Sequence, residues 1–275
     1  MRPAVWVVLL LTVAGCGSSA QAPVTAAPVQ LWPAGVGADY QLGGGYPPAA
    51  GVGVVARDSS DEPAAGVWNI CYVNGFQSQP QDREKWLAER QDLVLLESDG
   101  TPVIDEGWPD ELLLDTTTEA KRERLVAVLD PTLTGCAADG FDAIELDNLD
   151  SWTRSGGRLT EDGNIAFAAL LVQRIHQLGL AAGQKNTPQL GARGPDEIGY
   201  DFVVAEECLV YDECAAYTDV YGDAVLDIEY SDTEVGATAA DWAAACADPA
   251  RPATIVLRDR LLAVAGSDGY VRDGC

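Results

Sequence analysis

Carboxylates stand at the ends of several short apolar runs in this chain. One run ends in Glu145 and Asp147, and another ends in Glu206 and Glu207. Two carboxyl groups that share a cleft raise one another's pKa, so one can stay protonated while its neighbour is ionised. Glycoside hydrolysis uses such a pair, one group as the acid for the leaving oxygen and the other as nucleophile or base. The sequence therefore raises the hypothesis of a glycosidase.

Strand alternation gives these carboxylates a direction. In the first run, Ile144 and Leu146 share one face, and Glu145 and Asp147 share the other. Because the bulky apolar face should meet helices, we expect the two carboxylates to point inward. Both faces of the strand before Glu206 are apolar, so alternation does not decide between Glu206 and its neighbour.

A later run shows the same alternation of apolar and acidic residues. Leu226 and Ile228 are expected to face outward, with Asp227 and Glu229 facing inward. Burying an inward-pointing carboxylate costs free energy unless the group is paired or solvated. Several such carboxylates at one end of the sheet therefore indicate a cleft for a polar or cationic ligand.

A structural role is the alternative, in which the carboxylates form buried ion pairs with Lys185 and Arg258. Spacing alone does not decide between the two interpretations. Other chemistries have less support, because no Gly-x-Ser-x-Gly motif exists and the single histidine, His176, falls within a predicted helix. We expect neither a metal site nor a cofactor.

The elements that would position these residues alternate between short strands and helices, which is typical of a parallel α/β sheet. The predicted strands are Asp39–Leu42, Val52–Arg57, Val67–Val73, Asp142–Asp147, Leu180–Lys185, Asp201–Glu206, Ala224–Glu229 and Ala253–Leu257. Eight strands with intervening helices match a single-domain (β/α)8 TIM barrel, whose chemistry lies at the C-terminal ends of its strands. An open doubly wound sheet is the alternative, but Gly43–Gly45 precedes Tyr46-Pro-Pro, which cannot open the helix of a phosphate-binding turn.

The clearest helix follows the fourth strand. Thr160 is a good N-cap before two acidic residues, Gly179 ends the helix, and Ile165, Ala168, Val172 and Ile175 share one face. A second N-cap is predicted at Asp130-Pro131. The long polar loop from Ser98 to Asp115 is expected to fold over another part of the molecule.

The N-terminus resembles a lipoprotein signal sequence. A short apolar segment, Val5–Val13, follows Arg2, and Val13-Ala-Gly-Cys16 has the pattern of a lipobox. We expect residues 1–15 to be removed, Cys16 to carry the lipid, residues 16–36 to form a flexible spacer, and residues 37–275 to form the barrel. The protein would then be exported and either anchored at the cell surface or released. An ordinary secretory peptide is the alternative.

Cysteine usage agrees with export, since six cysteines remain after Cys16 and an even number in an oxidising compartment implies disulfides. The expected pairs are Cys208 with Cys214, Cys71 with Cys136, and Cys246 with Cys275.

The chain is strongly acidic. It has 17 Lys and Arg against 43 Asp and Glu, a formal charge of −26. Like charge makes nucleic acid and anionic lipid headgroups poor partners, whereas a cationic ligand is attracted. The alternative is that the charge only keeps an exported protein soluble. We expect a monomer.

The residues from about Asp39 to the C-terminus resemble glycoside hydrolase family 114, the endo-α-1,4-polygalactosaminidases. The segments that carry the resemblance are Asp39–Leu42, Ile70–Val73, Gly107–Glu111 with Leu114-Asp115, Gly140–Asn148, Gln184–Asn186, Asp201–Glu206 with Cys208, Tyr211–Cys214, and Ile228–Tyr230. Each segment is short, but their order and spacing together are specific.

The resemblance implies a (β/α)8 hydrolase that cuts inside chains of α-1,4-linked galactosamine, a cationic amino-sugar polysaccharide. The catalytic carboxylates would be Asp147 and Glu206. The residues that would line the sugar subsites are Asp58, Tyr72, Glu145, Asn148, Trp152, Lys185, Asn186 and Glu229.

The chain departs from the family pattern at four positions, one of which is Trp152, where the family often has Tyr. Leu146 replaces the usual Pro, Ala205 replaces Asn before the sixth-strand Glu, and Glu207 replaces Gln after it. An Asn amide there would orient the acid, so Ala205 bears on rate and substrate fit. Two further hypotheses follow: a surface lipoprotein that binds glycan without cleaving it, and a hydrolase of a different glycan.

Overall fold

The computed structural model describes Met1, residues 29–33 and residues 35–275. The strands are β1 Gly37–Tyr40, β2 Val52–Asp58, β3 Trp68–Asn74, β4 Ala143–Asp147, β5 Ala181–Lys185, β6 Phe202–Glu206, β7 Val225–Tyr230, β8 Thr254–Arg258 and β9 Arg272–Gly274. Neighbours from β1 to β8 pair in parallel and in chain order, and β9 pairs antiparallel with β8. All eight predicted strands are confirmed. The three-residue β9 was not predicted, because it has no apolar pattern.

Helices surround only part of this barrel. In the described residues they are α1 Arg83–Glu89, α2 Glu119–Asp139, α3 Glu161–Gln177, α4 Cys214–Tyr221 and α5 Ala239–Ala247. The described connections from β1 to β2 and from β2 to β3 contain no helix. The fold is therefore a single-domain TIM barrel with an incomplete outer ring of helices.

Side chains hold the first and last strands together. Nη1 of Arg258 donates to Oδ1 of Asp39 over 3.0 Å, and both side chains are fully buried. Arg272 of β9 donates to the carbonyl of Ala38 in β1 over 3.0 Å. Arg258 therefore forms a buried ion pair with Asp39 of β1, a carboxylate outside the set considered from the sequence, and the pair closes the barrel across its seam.

Aromatic rings fill the N-terminal end of the barrel. Trp32 stacks on Phe202 with ring centroids 5.6 Å apart and meets Trp68 edge-on at 5.5 Å. Gly183 makes room for this layer, because a Cβ there would lie 2.4 Å from the Phe202 ring. Residues 29–33 thus lie against the N-terminal end of the barrel.

The apolar core outside the barrel lies mainly under α2 and α3. Helix α3 begins at the predicted cap, where the Thr160 hydroxyl accepts from the backbone N–H of Gly163. Its predicted apolar face is buried. The predicted N-cap at Asp130 is wrong, because α2 runs through Pro131 and is capped by Thr118 instead. Buried side chains one or two turns apart, Leu125, Leu129 and Leu133 among them, keep the helix on the barrel despite the backbone donor that proline lacks.

All three expected disulfides are present: Cys71–Cys136, Cys208–Cys214 and Cys246–Cys275. They are consistent with folding in an oxidising compartment outside the cytoplasm. Among the residues that the structure describes, no helix combines the length and the apolar character needed to cross a membrane.

Candidate active site

A cleft of about 560 Å³ opens at the C-terminal ends of the strands. It is lined by Tyr40, Leu42, Tyr72, Asp105, Gly107, Trp108, Glu111, Asp147, Asn148, Asp150, Arg154, Lys185, Asn186, Glu206, Glu207, Tyr230, Arg260, Leu261 and Leu262. The predicted residues Tyr72, Asp147, Lys185 and Glu206 come from four consecutive strands, β3 to β6. Parallel strands end at one edge of the barrel, which is why residues far apart in sequence meet here.

Lys185 lies at the centre of this group and is only 4% exposed. Its Nζ is 3.3 Å from Oε1 of Glu145, 3.4 Å from Oε2 of Glu206 and 3.8 Å from Oδ1 of Asp147. Burial lowers the pKa of Lys185, but the three carboxylates outweigh it and raise that pKa well above its usual value. The predicted ion pairs therefore exist, and they lie within the cleft rather than apart from it.

Asp147, at the end of β4, accepts a hydrogen bond on each carboxylate oxygen. The Tyr72 hydroxyl donates to Oδ2 over 2.6 Å, and the backbone N–H of Asn148 donates to Oδ1 over 2.8 Å. Asn148 has a φ of 66°, a left-handed conformation that asparagine tolerates, and this turn brings its N–H back to the carboxylate. Its side chain donates to Asn74.

Glu206, at the end of β6, faces the cleft and has a different set of partners. Nδ2 of Asn186 donates to Oε2 over 3.0 Å, and the Tyr230 hydroxyl donates to Oε1. Burial raises the pKa of Glu206, but the charge of Lys185 and these hydrogen bonds outweigh it and lower the pKa overall. Glu207 also reaches the cleft and forms an ion pair with Arg260.

Ala205 faces away from the cleft and packs in the small apolar cluster around Cys208 and Tyr217. The amide that orients Glu206 comes instead from Asn186, whose Oδ1 accepts from the Glu206 backbone N–H over 2.8 Å. The substitution at position 205 therefore leaves the carboxyl group of Glu206 with an amide partner.

Glu145, which was expected to line the sugar subsites, lies beneath the cleft, is fully buried and does not line it. Oε1 accepts from the Tyr40 hydroxyl over 2.8 Å. Burial raises the pKa of Glu145 to about 7, although Lys185 opposes that shift. Glu145 acts on the cleft through Lys185.

The inward orientation expected for Asp227 and Glu229 is wrong. Leu226 and Ile228 fill the barrel interior, while both carboxylates face outward and accept from the backbone of the β6–α4 loop, at Cys208 N and Leu209 N. The alternation is real, but the larger apolar side chains of β7 are needed inside the barrel. Glu229 therefore lies outside the cleft.

Two further predicted residues also lie elsewhere. Asp58 accepts from the backbone N–H and hydroxyl of Ser60 and lines a separate groove beside α1. Trp152 is half-buried and packs against the apolar residues beneath the 98–115 loop. The tryptophan that lines the cleft is instead Trp108, which is 62% exposed.

The loop from Ser98 to Asp115 was expected to fold over another part of the molecule, and the structure places several of its residues at the cleft. Isolated bridges, such as Ile104 with Leu112, form a small antiparallel ribbon that presents Trp108 and Glu111 to the cleft. Sequence reasoning missed these two as site residues, although both lie in one of the family-like segments. Tyr40 and Tyr230 were also missed, since a tyrosine within a strand is an ordinary core residue.

A family model described as glycoside-hydrolase family GH114 matches residues 18–275. The chain belongs to glycoside hydrolase family 114. This membership, over almost the whole chain, makes the protein a glycoside hydrolase, and the cleft of this family 114 member is its candidate active site.

Solved structures agree on the fold of this family 114 member. A crystal structure of Aspergillus fumigatus Ega3 in complex with galactosamine is similar with a TM-score of 0.69 and 21% identity, covering 91% of this chain and 100% of that one. A variant of the glycoside hydrolase domain of PelA from Pseudomonas aeruginosa is similar with a TM-score of 0.61 and 14% identity, covering 84% and 97%. No curated protein sequence matches the chain.

Proposed function

We propose that this glycoside hydrolase cuts inside α-1,4-linked galactosamine polymers and that Asp147 and Glu206 are its catalytic carboxylates. The observation that carries the proposal is that these two carboxylates contact the same ammonium group, Nζ of Lys185, in the cleft of the barrel. One residue comes from β4 and the other from β6, so they approach a bound sugar from different sides.

The spacing suits glycoside hydrolysis. Because Lys185 Nζ is 3.8 Å from Oδ1 of Asp147 and 3.4 Å from Oε2 of Glu206, these two oxygens are at most 7.2 Å apart. Retaining glycosidases have carboxyl groups about 5 to 5.5 Å apart, and inverting ones about 6.5 to 9.5 Å. This upper bound on one pair of oxygens is compatible with both separations.

The substrate class rests on charge and on family likeness. The chain carries a formal charge of −26, and acidic side chains line the cleft. Deacetylated galactosamine is cationic, so its polymer would be attracted to this surface. The similar Ega3 structure holds galactosamine.

The test is hydrolysis of deacetylated α-1,4-galactosaminan by the wild type and by the variants Asp147→Asn and Glu206→Gln. We expect oligosaccharides from the wild type and at least a 1,000-fold lower rate from each variant, because each removes a group that reacts with the substrate. Glu234→Gln, which changes an exposed carboxylate outside the cleft, is the control and should keep full activity.

Three outcomes separate the hypotheses. No oligosaccharide from the wild type would refute this substrate, and cleavage that persists in both variants would refute the residue assignment. Binding of the polymer without cleavage would support the glycan-binding lipoprotein instead.

We also propose that Cys16 carries a lipid after removal of residues 1–15, and that a spacer links it to a monomeric barrel starting near residue 37. Cys16 lies outside the described residues, so the proposal rests on the lipobox pattern alone. Mass spectrometry of the mature protein should find a diacylglycerol thioether on Cys16, and Cys16→Ser should release the protein from membranes. An unmodified N-terminus downstream of residue 16 would contradict the proposal, and light scattering would test the monomer.

A further inference from the structure

The carboxylates that line the cleft differ in whether a basic side chain pairs with them. Five of the six have a basic partner: Asp105 and Asp150 pair with Arg154, Glu207 pairs with Arg260, and Asp147 and Glu206 pair with Lys185. Glu111 is the sixth. No basic side chain of the described residues lies within 4.0 Å of its carboxylate, and Arg154 acts on it only from a longer distance.

Glu111 is nevertheless held in a fixed position. Nδ2 of Asn74 donates to Oε2 of Glu111 over 2.8 Å. Asn74 is itself buried, and its Oδ1 accepts from the backbone N–H of Gln77 and from the side chain of Asn148. The second oxygen of Glu111, Oε1, accepts no hydrogen bond from the part of the chain that the structure describes.

The surroundings of Glu111 favour a cation. Burial raises its pKa, and the nearby charges of Asp147 and Asp105 raise it further, although the bond from Asn74 opposes the shift. A half-buried carboxylate without a counter-ion should bind a cationic ligand strongly, because burial has already removed part of its hydration in the free protein. Asn148 links it to the site, because its side chain contacts Asn74 and its backbone contacts Asp147.

We propose that Glu111 binds the 2-ammonium group of a galactosamine unit and thereby makes the enzyme prefer deacetylated over N-acetylated polymer. The inference rests on the proposed substrate class and adds the residue that reads its amino group. An acetamido group is uncharged and donates a single N–H, so it cannot replace the charge-assisted bond to Oε1. The exposed ring of Trp108, on the same loop, offers an apolar surface for the adjacent sugar face.

A binding experiment tests this without requiring turnover. Calorimetry on the Glu206→Gln protein would compare an oligosaccharide of α-1,4-linked galactosamine with its N-acetylated counterpart, with and without Glu111→Gln. Glutamine keeps the shape and can still accept from Asn74. We expect Glu111→Gln to weaken binding of the galactosamine oligosaccharide about 10- to 100-fold and to leave the N-acetylated one within about 2-fold. Glu106→Gln, an exposed carboxylate of the same loop that does not line the cleft, should change neither.

Each other outcome overturns the assignment. Unchanged binding of the galactosamine oligosaccharide, equal weakening of both ligands, or no binding of either by the Glu206→Gln protein would refute Glu111 as the amine-reading residue. Failure of the proposed function is seen separately, as a wild-type enzyme that does not cut the polymer while the Glu111-dependent selectivity in binding persists. Thermal unfolding of each variant checks that the loop remains folded.

Discussion

Nζ of Lys185 lies 3.3 Å from Oε1 of Glu145, and both side chains are almost completely removed from solvent. The same ammonium group contacts the two carboxylates that we propose as catalytic. This one ammonium group thus contacts three carboxylates, that of Glu145 below it and those of Asp147 and Glu206 in the cleft. An isolated buried carboxylate would be costly, but a shared ammonium and the Tyr40 hydroxyl offset that cost here. The electrostatics of the cleft therefore depend in part on Glu145, which does not line the cleft.

Glu145→Gln should change how stability depends on pH. The pKa of Glu145 is about 7 in the folded protein against a usual value of 4.5. Between these values the unfolded chain loses this proton while the folded chain keeps it, so the free energy of unfolding falls as the pH rises, by about 3 kcal/mol in total. The Glu145→Gln variant has no carboxyl group at this position, so its free energy of unfolding should not fall for this reason. Urea unfolding of both proteins from about pH 4 to 8 should show the variant gaining relative stability across this window, and a constant difference would contradict the assignment.

Tyr230→Phe should shift the part of the pH–activity profile that reflects ionisation of Glu206. The Tyr230 hydroxyl donates to Oε1 of Glu206 and helps to lower the pKa of that carboxyl group. Without this hydrogen bond the pKa rises, and we expect this part of the profile to shift toward higher pH by about one unit. The measurement is kcat/KM against pH. Tyr211→Phe, at a side chain that is 64% exposed and does not line the cleft, should leave the profile unchanged.

Asp227→Asn should stabilise the protein at neutral and alkaline pH. Burial raises the pKa of both Asp227 and Glu229. The charge of Glu229 raises the pKa of Asp227 further, whereas a hydrogen bond with Asp227 lowers the pKa of Glu229. Groups with raised folded-state pKa values contribute stability at low pH that is lost as the pH rises through those values. An asparagine offers a permanent donor toward Glu229, while its oxygen can still accept from Cys208 N.

Thermal unfolding of the wild type and Asp227→Asn across the pH range would measure this. We expect the difference in Tm to be smallest at acidic pH and to grow in favour of the variant as the pH rises. A variant that is less stable at every pH would mean that the pair carries another role.

Removal of individual disulfides should separate stability from activity. Cys208 and Cys214 are 6 residues apart, whereas Cys246 and Cys275 are 29 apart. Loop entropy alone predicts losses of about 2 and about 3.5 kcal/mol for the two pairs when they are replaced by alanine. The loss of activity should instead be larger for the variant without Cys208–Cys214, because Cys208 follows Glu206 and Glu207 directly. Chemical denaturation and kcat/KM on the same proteins test both, and an activity loss confined to the Cys246–Cys275 variant would refute this reasoning.

Some of these relationships could be predicted from the sequence. The eight strands and the disulfide pairs are confirmed, because apolar runs and cysteine spacing are local or countable features. The inward direction of Asp147 also follows from alternation, since Ile144 and Leu146 meet the helices. The same rule failed in β7. Alternation defines two faces, but which face is inside depends on how the strand is placed in the barrel, and there Leu226 and Ile228 fill the interior.

The sequence by itself determined the chemical inventory: the acidic charge, the cysteines, and carboxylates at strand ends that can act on a glycosidic bond. Only the tertiary structure decided which of these groups share a proton, a cation or a cleft. Lys185 meets Glu145, Asp147 and Glu206 because β4, β5 and β6 pair in parallel and end at one edge of the barrel. Distances of 3 to 4 Å between different strands are not encoded in spacing along the chain. The same packing put Glu229 outside the barrel and brought Glu111 into the cleft.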